Sequence, residues 1–390
     1  MRTQVGIIGA GPAGLMLSHL LHLQGIESVI LENRSREYVE GRIRAGVIEH
    51  WAADLLVATG VGERMTREGL VHGGIHFSFG EGLHHFDFKS LVGKGITVYG
   101  QHQLVKDLIA RRLADGGTIL FDVDEVSLHD VDSAQPRIRF QHQGQERELA
   151  CDFIGGCDGF HGICRPSIPA GRLTAYERDY PFAWLGILAE APPVSDELIY
   201  CYHARGFALF SMRAPTLVRC YLQCTPGEDV EWWPDELIWQ ELRRRLAPEK
   251  NRDLVAGPIL HKAVTDMRSF VAEPMQYGRL FLAGDAAHIV PPTGAKGMNL
   301  AIADVLMLAR GIEAFYASGN GDLLDAYSAT CLRRVWKAQR FSWWMTQMLH
   351  LDPRDNAFDR KRQLAELDYV TGSAAASKSL AENYVGLALD

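Results

Sequence analysis

A glycine-rich turn close to the start of the chain constrains the fold more than any other feature of the sequence. An apolar strand pattern leads into the turn, a helical pattern follows it, and a second apolar strand ends in an acidic residue. These elements fall within one strand-helix-strand unit, which gives the GxGxxG spacing its weight. The unit consists of Val5–Ile8, Gly9, Gly11, Gly14, a helix to about Gln24, Ser28–Leu31 and Glu32.

This unit predicts a site for the ADP half of a dinucleotide. Glycines let the backbone approach a pyrophosphate, which the positive end of the following helix stabilises. Glu32 lies at about the 20-residue distance at which an acid binds the adenosine ribose, and it would repel a 2′-phosphate. The tightly bound nucleotide is therefore FAD or NAD and not NADP. The predicted contacts are Gly9, Gly11, Ala13, Gly14 and Glu32.

A second motif, far along the chain, favours FAD. The apolar strand pattern of residues 279–283 runs into Gly284 and Asp285, and a glycine-rich turn then leads to a helix. The Asp285 carboxylate is suited to the ribityl hydroxyls of a flavin, although it is also a plausible helix N-cap. Backbone amides at the helix start are suited to the negative charge of a reduced flavin ring. They belong to Gly297, Met298 and Asn299.

Composition excludes several classes of protein. The 40 Lys and Arg against 48 Asp and Glu give a formal charge of −8, which argues against a general nucleic-acid binder. No apolar run approaches the roughly 18 residues that span a membrane, and the N-terminal apolar run breaks at glycines, unlike a secretory leader. The seven scattered cysteines lack disulfide and zinc-pair patterns. We expect a cytoplasmic protein without a metal site.

The sequence pattern predicts an α/β fold with three parts. Residues 1–175 form a Rossmann-like FAD-binding domain, which is discontinuous and completed by about 266–300. Residues 176–265 carry alternating, aromatic-rich strands and form an inserted antiparallel substrate sheet. Residues 300–390 form a helical C-terminal and interface region, with helical periodicity from Asn299 to about Met348. Strands at Ile96–Tyr99 and Thr118–Phe121 are predicted to continue the parallel sheet.

Together these motifs resemble the single-component flavin-dependent aromatic hydroxylases. The resemblance extends over the whole chain and rests on seven segments besides the GxGxxG unit. These are Gly41–Gly46, Val98–Gln101, Cys157–Gly162, Glu197–Tyr200, Arg205–Leu209, His288–Lys296 and Glu382–Gly386.

The resemblance implies an activity. A family member of this kind binds FAD noncovalently, accepts electrons from NADPH, with NADH also usable, and forms a flavin C4a-hydroperoxide with O2. The implied reaction is hydroxylation of 4-hydroxybenzoate at the 3-position to 3,4-dihydroxybenzoate, by a homodimer that needs neither nucleic acid nor membrane. Two alternatives stay open: a sister hydroxylase for another hydroxybenzoate or phenol, and a carrier on the same fold without redox chemistry.

The resemblance also implies residue roles. Ser211, Arg213 and Tyr221 hold the substrate carboxylate, and Tyr200 and Tyr384 lie at the phenol. Pro292 and Thr293 lie near the ring, and His72 ends a proton relay. Tyr200, Tyr384, His72 and Pro292 count as catalytic. Further contacts to FAD come from Arg42, Arg44, Gln101, Asp158, Gly284 and Asp285.

The residues of the substrate sheet support one of these roles independently. Ser211 and Arg213 are two positions apart on a strand, so their side chains share a face, and the Arg fork matches a carboxylate. Pairing of Arg213 with an internal Asp or Glu is the alternative.

The nicotinamide donor has no second glycine fingerprint, so a surface groove is expected to bind it. In the segment of residues 33–37, Asn33 adds no positive charge, which weakens the predicted preference for NADPH. The predicted groove residues are Arg34, Tyr38, Arg42, Arg44, His161 and Arg268.

Overall fold

The computed structural model describes residues 1–44, 46–251 and 253–389. Ala45, in the predicted basic loop, lies outside the described residues. The strands are β1 (Val5–Ile8), β2 (Ser28–Leu31), β3 (Val47–Ile48), β4 (Leu70–His72), β5 (Gly74–Phe79), β6 (Gly82–Asp87), β7 (Ile96–Val98), β8 (Thr118–Leu120), β9 (Asp124–His129), β10 (Arg137–His142), β11 (Gln145–Ala150), β12 (Phe153–Gly156), β13 (Thr174–Ala189), β14 (Ile199–Cys201), β15 (Ala208–Ala214), β16 (Leu217–Cys224), β17 (Ile259–Glu273), β18 (Gln276–Tyr277), β19 (Leu280–Leu282) and β20 (His288–Ile289).

Helices connect these strands and dominate the C-terminal part. They are α1 (Pro12–Leu23), α2 (Arg36–Gly41), α3 (His50–Ala58), α4 (Glu63–Glu68), α5 (Phe88–Val92), α6 (Gln101–Ala114), α7 (Asp235–Arg245), α8 (Pro248–Asn251), α9 (Gly297–Ser318), α10 (Asp322–Asp325), α11 (Tyr327–Leu349), α12 (Ala357–Gly372) and α13 (Ala374–Val385). No helix among the described residues is long and apolar enough to cross a membrane.

A six-stranded sheet carries both glycine motifs. Its order is β18-β19-β12-β1-β2-β8, and every pair except β18–β19 is parallel. β1, β2 and β12 are buried along their whole length, which is typical of a parallel sheet. The predicted discontinuous sheet is therefore confirmed. Because parallel strands end at one edge, the turns after β1, β12 and β19 meet there.

An eight-stranded sheet forms the second layer, in the order β20-β17-β13-β16-β15-β14-β5-β6. Its pairs are antiparallel except for β14 with β5. Across three central strands Tyr200 lies opposite Leu209, and Leu209 lies opposite Tyr221. Ser211 lies opposite Arg219 in the next same-facing row. This face of the sheet carries most of the residues predicted to bind substrate.

Part of the predicted organisation was wrong. The predicted strand at Ile96–Tyr99 is β7, which pairs antiparallel with β3 and β4 in a separate three-stranded sheet and does not continue the parallel one. The chain leaves the parallel sheet after β2 and returns only with β8. On this excursion β5 and β6 join the eight-stranded sheet, although they lie in the segment predicted as the FAD-binding domain. The division into domains stays a prediction.

The predicted helical region is interrupted. α9 ends at Gly319, which caps it in the left-handed conformation with φ +73°, and α11 begins only at Tyr327. A glycine adopts this conformation without steric cost. β9, β10 and β11 form a further antiparallel sheet. All seven cysteines are buried thiols without a bridge.

Candidate active site

The three glycines of the turn after β1 differ in the space around them: Gly11 has free space, whereas Gly9 and Gly14 are tightly packed. A Cβ atom on Gly9, which has φ +102°, would lie 2.3 Å from the Cys157 oxygen, and one on Gly14 would lie 2.0 Å from the Gly9 oxygen. A Cβ on Gly11 would meet nothing within 4 Å. Gly9 and Gly14 therefore serve the packing of the chain itself. Gly11 leaves free space at the start of α1, as a bound pyrophosphate requires, and Ala13 lies in the same helical turn.

Glu32 holds this turn against the end of β2. Its carboxylate is nearly buried; Oε2 accepts the Ala10 N–H at 2.7 Å and Oε1 accepts the Arg34 N–H at 2.9 Å. Each carboxylate oxygen has a second lone pair, so both bonds leave acceptor capacity for a ribose hydroxyl. The carboxylate thus shapes the turn as well as offering the predicted contact.

Asp158 follows β12 at the same sheet edge. Its Oδ2 accepts the Cys164 N–H at 2.9 Å, whereas Oδ1 is buried without a hydrogen-bond partner among the described residues. Burial raises the pKa of this carboxyl. A buried acceptor without a partner is costly, so this oxygen is suited to a polar ligand group. Gln101 is the first residue of α6 and is half-buried.

Asp285 follows β19. Its carboxylate reaches solvent but is otherwise surrounded by protein; this desolvation raises its pKa, while His288, Arg44 and Arg42 act in the opposite direction. Within the described part of the chain, no group donates a hydrogen bond to it. Desolvation likewise lowers the pKa of Arg44. The structure therefore brings together a carboxylate and two cations that the sequence assigned to the cofactor.

Asp304, a residue that the sequence analysis missed, positions the turn containing Asp285. The buried Asp304 carboxylate accepts the Gly284 N–H at 3.0 Å and lies 2.6 Å from His288 Nε2. Burial lowers the pKa of His288, but the Asp304 charge outweighs it and the pKa is raised. A single acid inside the apolar helix 300–309 was the available signal.

The start of α9 is fixed by two buried side chains. Asn299 donates to the oxygens of Val47 and Ala295, each at 3.0 Å, and accepts the Glu49 N–H at 2.9 Å. Lys296 donates to Glu49 Oε1 at 2.6 Å and to the Tyr384 oxygen at 3.1 Å. The Asn299 side chain is thus used within the protein. Its backbone amide, with those of Gly297 and Met298, lies in the first turn of α9.

Arg213 carries the positive charge of the substrate face. Its Nη1 donates to Ser211 Oγ at 2.7 Å and to the Met212 oxygen at 3.0 Å, and its Nε is buried without a partner in the described chain. Desolvation lowers the pKa of Arg213, and Tyr221 opposes this effect from close by. None of the described carboxylates forms an ion pair with it. The alternative in which Arg213 pairs with an internal acid is therefore not observed.

Tyr200 and Tyr384 form a buried hydroxyl pair. Their oxygens lie 2.5 Å apart, although the residues are 184 positions apart in sequence and belong to β14 and α13. Burial raises the pKa of both tyrosines well above the ordinary value. Both therefore stay protonated at neutral pH. The pair stands one same-facing row away from Ser211 on the sheet.

Aromatic rings enclose this face. The Phe207 ring lies 5.2 Å from Trp184 and 6.2 Å from Tyr200, and Trp184 lies 4.8 Å from Tyr221. His350, at the end of α11, stacks on Phe207 at 4.2 Å and accepts the Trp184 indole N–H at 2.6 Å. Burial lowers the pKa of His350 to about 3, so it is neutral and serves as the acceptor. The wall is apolar and excludes water.

Pro292 and Thr293 form a short turn ahead of α9. Pro292 is exposed, whereas Thr293 is fully buried and its Oγ1 accepts a hydrogen bond from Thr346 Oγ1 at 2.9 Å. Contact with α11 therefore fixes this turn. The Thr293 side chain serves structure, and its predicted place near the substrate ring stays a prediction.

His72 ends β4 and is buried, with no hydrogen bond from either ring nitrogen to a described residue. Desolvation lowers its pKa to about 4. Phe88 lies between the end of β4 and Tyr384. Its N–H donates to the oxygen of Gly73, the residue after His72, at 2.8 Å, and its ring lies 5.3 Å from the Tyr384 ring. The structure gives no contact between His72 and the hydroxyl pair among the described residues, so its place at the end of the proton relay stays a prediction.

The residues predicted for the nicotinamide groove form two groups. Arg34 lies over the Tyr38 ring at 5.3 Å, near the exposed Arg42 and Arg44. Arg268 lies over the Phe160 ring at 5.0 Å, next to the exposed His161. The structure gives no direct contact between the groups among the described residues.

Known proteins share both the sequence and this architecture. Residues 2–342 match the family model "FAD binding domain". The chain is 49% identical over 388 residues to p-hydroxybenzoate hydroxylase of Acinetobacter baylyi, covering 99% of this chain and 96% of that one. The chain belongs to the FAD-dependent aromatic hydroxylases.

More distant members agree with this membership. The hydroxylase is 27% identical to a probable NADH-specific resorcinol 4-hydroxylase of Rhodococcus jostii, covering 83% of this chain and 61% of that one. The crystal structure of p-nitrophenol 4-monooxygenase from Pseudomonas putida superposes with a TM-score of 0.82 and covers 99% of both chains at 18% identity, so it supports the fold alone. The hydroxylase is an FAD-dependent enzyme. The alternative of a carrier without redox chemistry is excluded.

Proposed function

We propose that this hydroxylase converts 4-hydroxybenzoate to 3,4-dihydroxybenzoate. The observation that carries the proposal is the placement of an unpaired cation and a hydroxyl pair on one face of the sheet. Ser211 lies two residues along β15 from the position opposite Tyr200, and two residues span about 7 Å. A benzene ring with its carboxylate and hydroxyl in para positions reaches between groups at this separation.

The carboxylate end of the substrate is bound by Arg213 with Ser211. The guanidinium has unused donors and lacks an acid partner among the described residues, so a substrate carboxylate supplies the missing charge. Ser211 orients the fork by accepting from Nη1. Tyr221 supports Arg213 from the adjacent strand.

The phenol end is served by Tyr200. A phenol is a poor nucleophile until it loses its proton, which it holds with a pKa of about 10 in water. Since Tyr200 and Tyr384 are both protonated, Tyr200 accepts the substrate proton only as it donates its own to Tyr384. His72, which is neutral at pH 7, is the proposed end of this relay. Loss of the proton raises the electron density at the ring carbon next to the oxygen, where hydroxylation occurs.

The residues at the sheet edge fit FAD. Open space at Gly11, the unpartnered Asp158 oxygen and the Asp285 carboxylate supply the groups that a pyrophosphate and a ribityl chain require. When bound, FAD would supply the redox chemistry, in which electrons from NAD(P)H activate O2 so that one oxygen atom enters the ring and the other leaves as water. The aromatic wall around Phe207 keeps water from the reacting atoms.

The A. baylyi relative supports the choice of substrate, since its name states p-hydroxybenzoate and it is 49% identical. The alternative is a sister hydroxylase for another hydroxybenzoate or phenol. Turnover should be compared for 4-hydroxybenzoate, 3-hydroxybenzoate and phenol, with product, O2 and NADPH measured together. Efficient, fully coupled turnover of 4-hydroxybenzoate alone supports the proposal. A higher kcat/KM for either other compound overturns it.

NADPH is the proposed electron donor. Arginines near one loop favour a 2′-phosphate, which carries about two negative charges, although Arg36 is already ion-paired with Glu40 at 2.6 Å. Because Asn33 contributes none, NADH is also usable. The positive residues are Arg34, Arg36, Arg42 and Arg44.

Assembly and location are further proposals. We infer a cytoplasmic homodimer whose interface lies on the C-terminal helices. In support, Trp336 and Trp343 of α11 and Tyr176 are more than 40% exposed around a groove of about 330 Å³. Sedimentation of the FAD-loaded enzyme tests the dimer, and a single species of monomer mass contradicts it.

A further inference from the structure

Three side chains of residue types that can ligate a metal ion lie together at one edge of the eight-stranded sheet, away from the substrate face. His76 of β5 lies directly opposite His85 of β6, and the His76 N–H donates to the Leu198 oxygen, which brings Glu197 alongside. His85 Nε2 lies 2.8 Å and His76 Nε2 lies 3.8 Å from Glu197 Oε2. One donor atom from each residue falls within 4.8 Å of the others.

The sheet explains why these residues converge. Ile75 and Phe77 point into the apolar core, so His76, between them, points to the opposite face. The same alternation in β6 puts His85 on that face and His84 on the core side, where His84 stacks on Phe79 at 4.5 Å. The parallel pairing of β14 with β5 brings the preceding Glu197 next to both imidazoles.

Hydrogen bonding alone leaves the cluster incomplete. Glu197 Oε2 accepts from His85, while His76 Nε2 is too far away for a hydrogen bond and His76 Nδ1 is buried without a partner among the described residues. The two imidazole rings are only 4.7 Å apart, which is unfavourable if both are protonated. A single cation between the three groups would bind one nitrogen of each ring and the carboxylate, and would separate the two imidazoles.

We propose that His76, His85 and Glu197 bind one divalent transition-metal ion, with Zn²⁺ as the best match. Zinc sites with two histidines and one acid are common, with bonds of about 2.0–2.2 Å and a fourth position for water. In such a tetrahedron the ligand atoms are roughly 3.4 Å apart. The present separations bracket that value, so small side-chain rotations complete the site. Side-chain exposures of 21%, 43% and 19% give the ion access from solvent.

The prediction of a protein without a metal site rested on the scattered cysteines, and the three residues of this cluster form no local motif in the sequence. His76 and Glu197 are 121 positions apart, and only the pairing of β5 with β14 joins them. Glu249 and Lys250 also act electrostatically on His76, but with opposite charges. Both act more weakly on His76 than His85 and Glu197, the other two members of the cluster.

Zinc titration of the complete FAD-loaded enzyme tests the proposal. The enzyme is first freed of metal by dialysis against a chelator, and Zn²⁺ is then added in competition with a chromophoric chelator. One equivalent per chain should bind tightly, apart from any weak binding by the other histidines. Loss of even an outer contact weakens metal sites about 10- to 100-fold, so His76→Gln or His85→Gln should weaken this site at least about 100-fold.

His84→Gln is the matched control, because it removes an imidazole from the neighbouring position on the other face. It should keep the tight equivalent, and unchanged FAD absorbance verifies that each variant is folded. Co²⁺ should give visible absorption bands of a four-coordinate ion in wild type and the control only. Wild type without a tight equivalent overturns the proposal, as does undiminished binding by His85→Gln and His76→Gln.

Discussion

The Tyr200 and Tyr384 hydroxyl oxygens lie 2.5 Å apart in a buried pocket formed by β14 and α13. Their raised pKa values exclude a resting tyrosinate, so the pair conducts a proton only by donating and accepting at once. The Lys296 ammonium donates to the backbone carbonyl oxygen of Tyr384 and thereby connects α13 to the cofactor helix α9. The helix that carries Tyr384 and the helix that begins at the predicted flavin site are therefore held together by this contact.

Removal of the Arg213 charge should abolish most substrate affinity. Arg213→Ala leaves the substrate carboxylate unpaired in a desolvated site, which costs about 2–5 kcal/mol. Arg213→Lys should restore little, because a lysine lacks the planar fork. Ser211→Ala removes a hydrogen bond to the Arg213 guanidinium without removing its charge, and should cost less than Arg213→Ala, about 1.5–3 kcal/mol. Equilibrium binding of 4-hydroxybenzoate measures these effects. Binding to Arg213→Ala within threefold of wild type would show that the carboxylate binds elsewhere.

Asp285→Ala should weaken FAD binding without destabilising the protein that lacks FAD. The loss of a hydrogen bond to a charged group costs about 1.5–3 kcal/mol, or roughly 10- to 100-fold in the FAD dissociation constant. Desolvation already penalises this carboxylate in the absence of ligand, as its raised pKa indicates. Asp304→Asn should instead lower the free energy of unfolding of the apoprotein, because Asp304 anchors Gly284 and His288. Equal FAD affinity in wild type and Asp285→Ala would contradict the assignment.

The enzyme should prefer NADPH to NADH by kcat/KM. Arg34→Ala should reduce kcat/KM for NADPH and leave that for NADH nearly unchanged, because only NADPH offers a phosphate to the guanidinium. Steady-state kinetics with both donors test this directly. A higher kcat/KM for NADH in wild type, or an equal loss with both donors in the variant, would refute the preference.

His72 should make the folded state sensitive to acid. Its pKa is about 4 in the folded protein against an ordinary 6.5, so the folded state binds fewer protons. Stability is unaffected above about pH 6.5 and falls as the pH drops to about 4, by up to about 3 kcal/mol from this group. His72→Asn should reduce the decline in unfolding free energy over that range. Parallel pH profiles for wild type and variant would contradict the buried, neutral state of His72.

Local sequence patterns were sufficient to predict the nucleotide-binding fold. The boundaries of β1 and β2 and the end of α1 follow from short-range signals such as Gly9 and the apolar runs, and they agree with the structure within one residue. The prediction for the pairing of β7 was wrong, because the sequence of a three-residue apolar strand does not indicate which strand it pairs with. Strand pairing depends on contacts far apart in sequence.

The candidate site shows the same division. The i and i+2 spacing of Ser211 and Arg213 predicted a shared face, and Arg213 indeed donates to Ser211. The contacts of Lys296 with Glu49 and of His350 with Trp184 join segments more than 160 positions apart, so composition and periodicity did not reveal them. Tyr384 was assigned only by resemblance, since nothing in the local sequence marks a tyrosine as a proton acceptor.

The most direct test of the account is the coupling of Tyr200→Phe. If Tyr200 were merely structural, the variant would lose about 1 kcal/mol of stability and keep its turnover. As the partner of the phenol, it should leave FAD and benzoate binding nearly intact, while the substrate no longer ionises in the desolvated pocket. The measurement is the ratio of 3,4-dihydroxybenzoate formed to NADPH consumed, with H2O2 assayed in parallel. We predict that NADPH oxidation continues while most of the product is replaced by H2O2. A variant whose product still equals the NADPH consumed, at a rate close to wild type, would contradict the central claim.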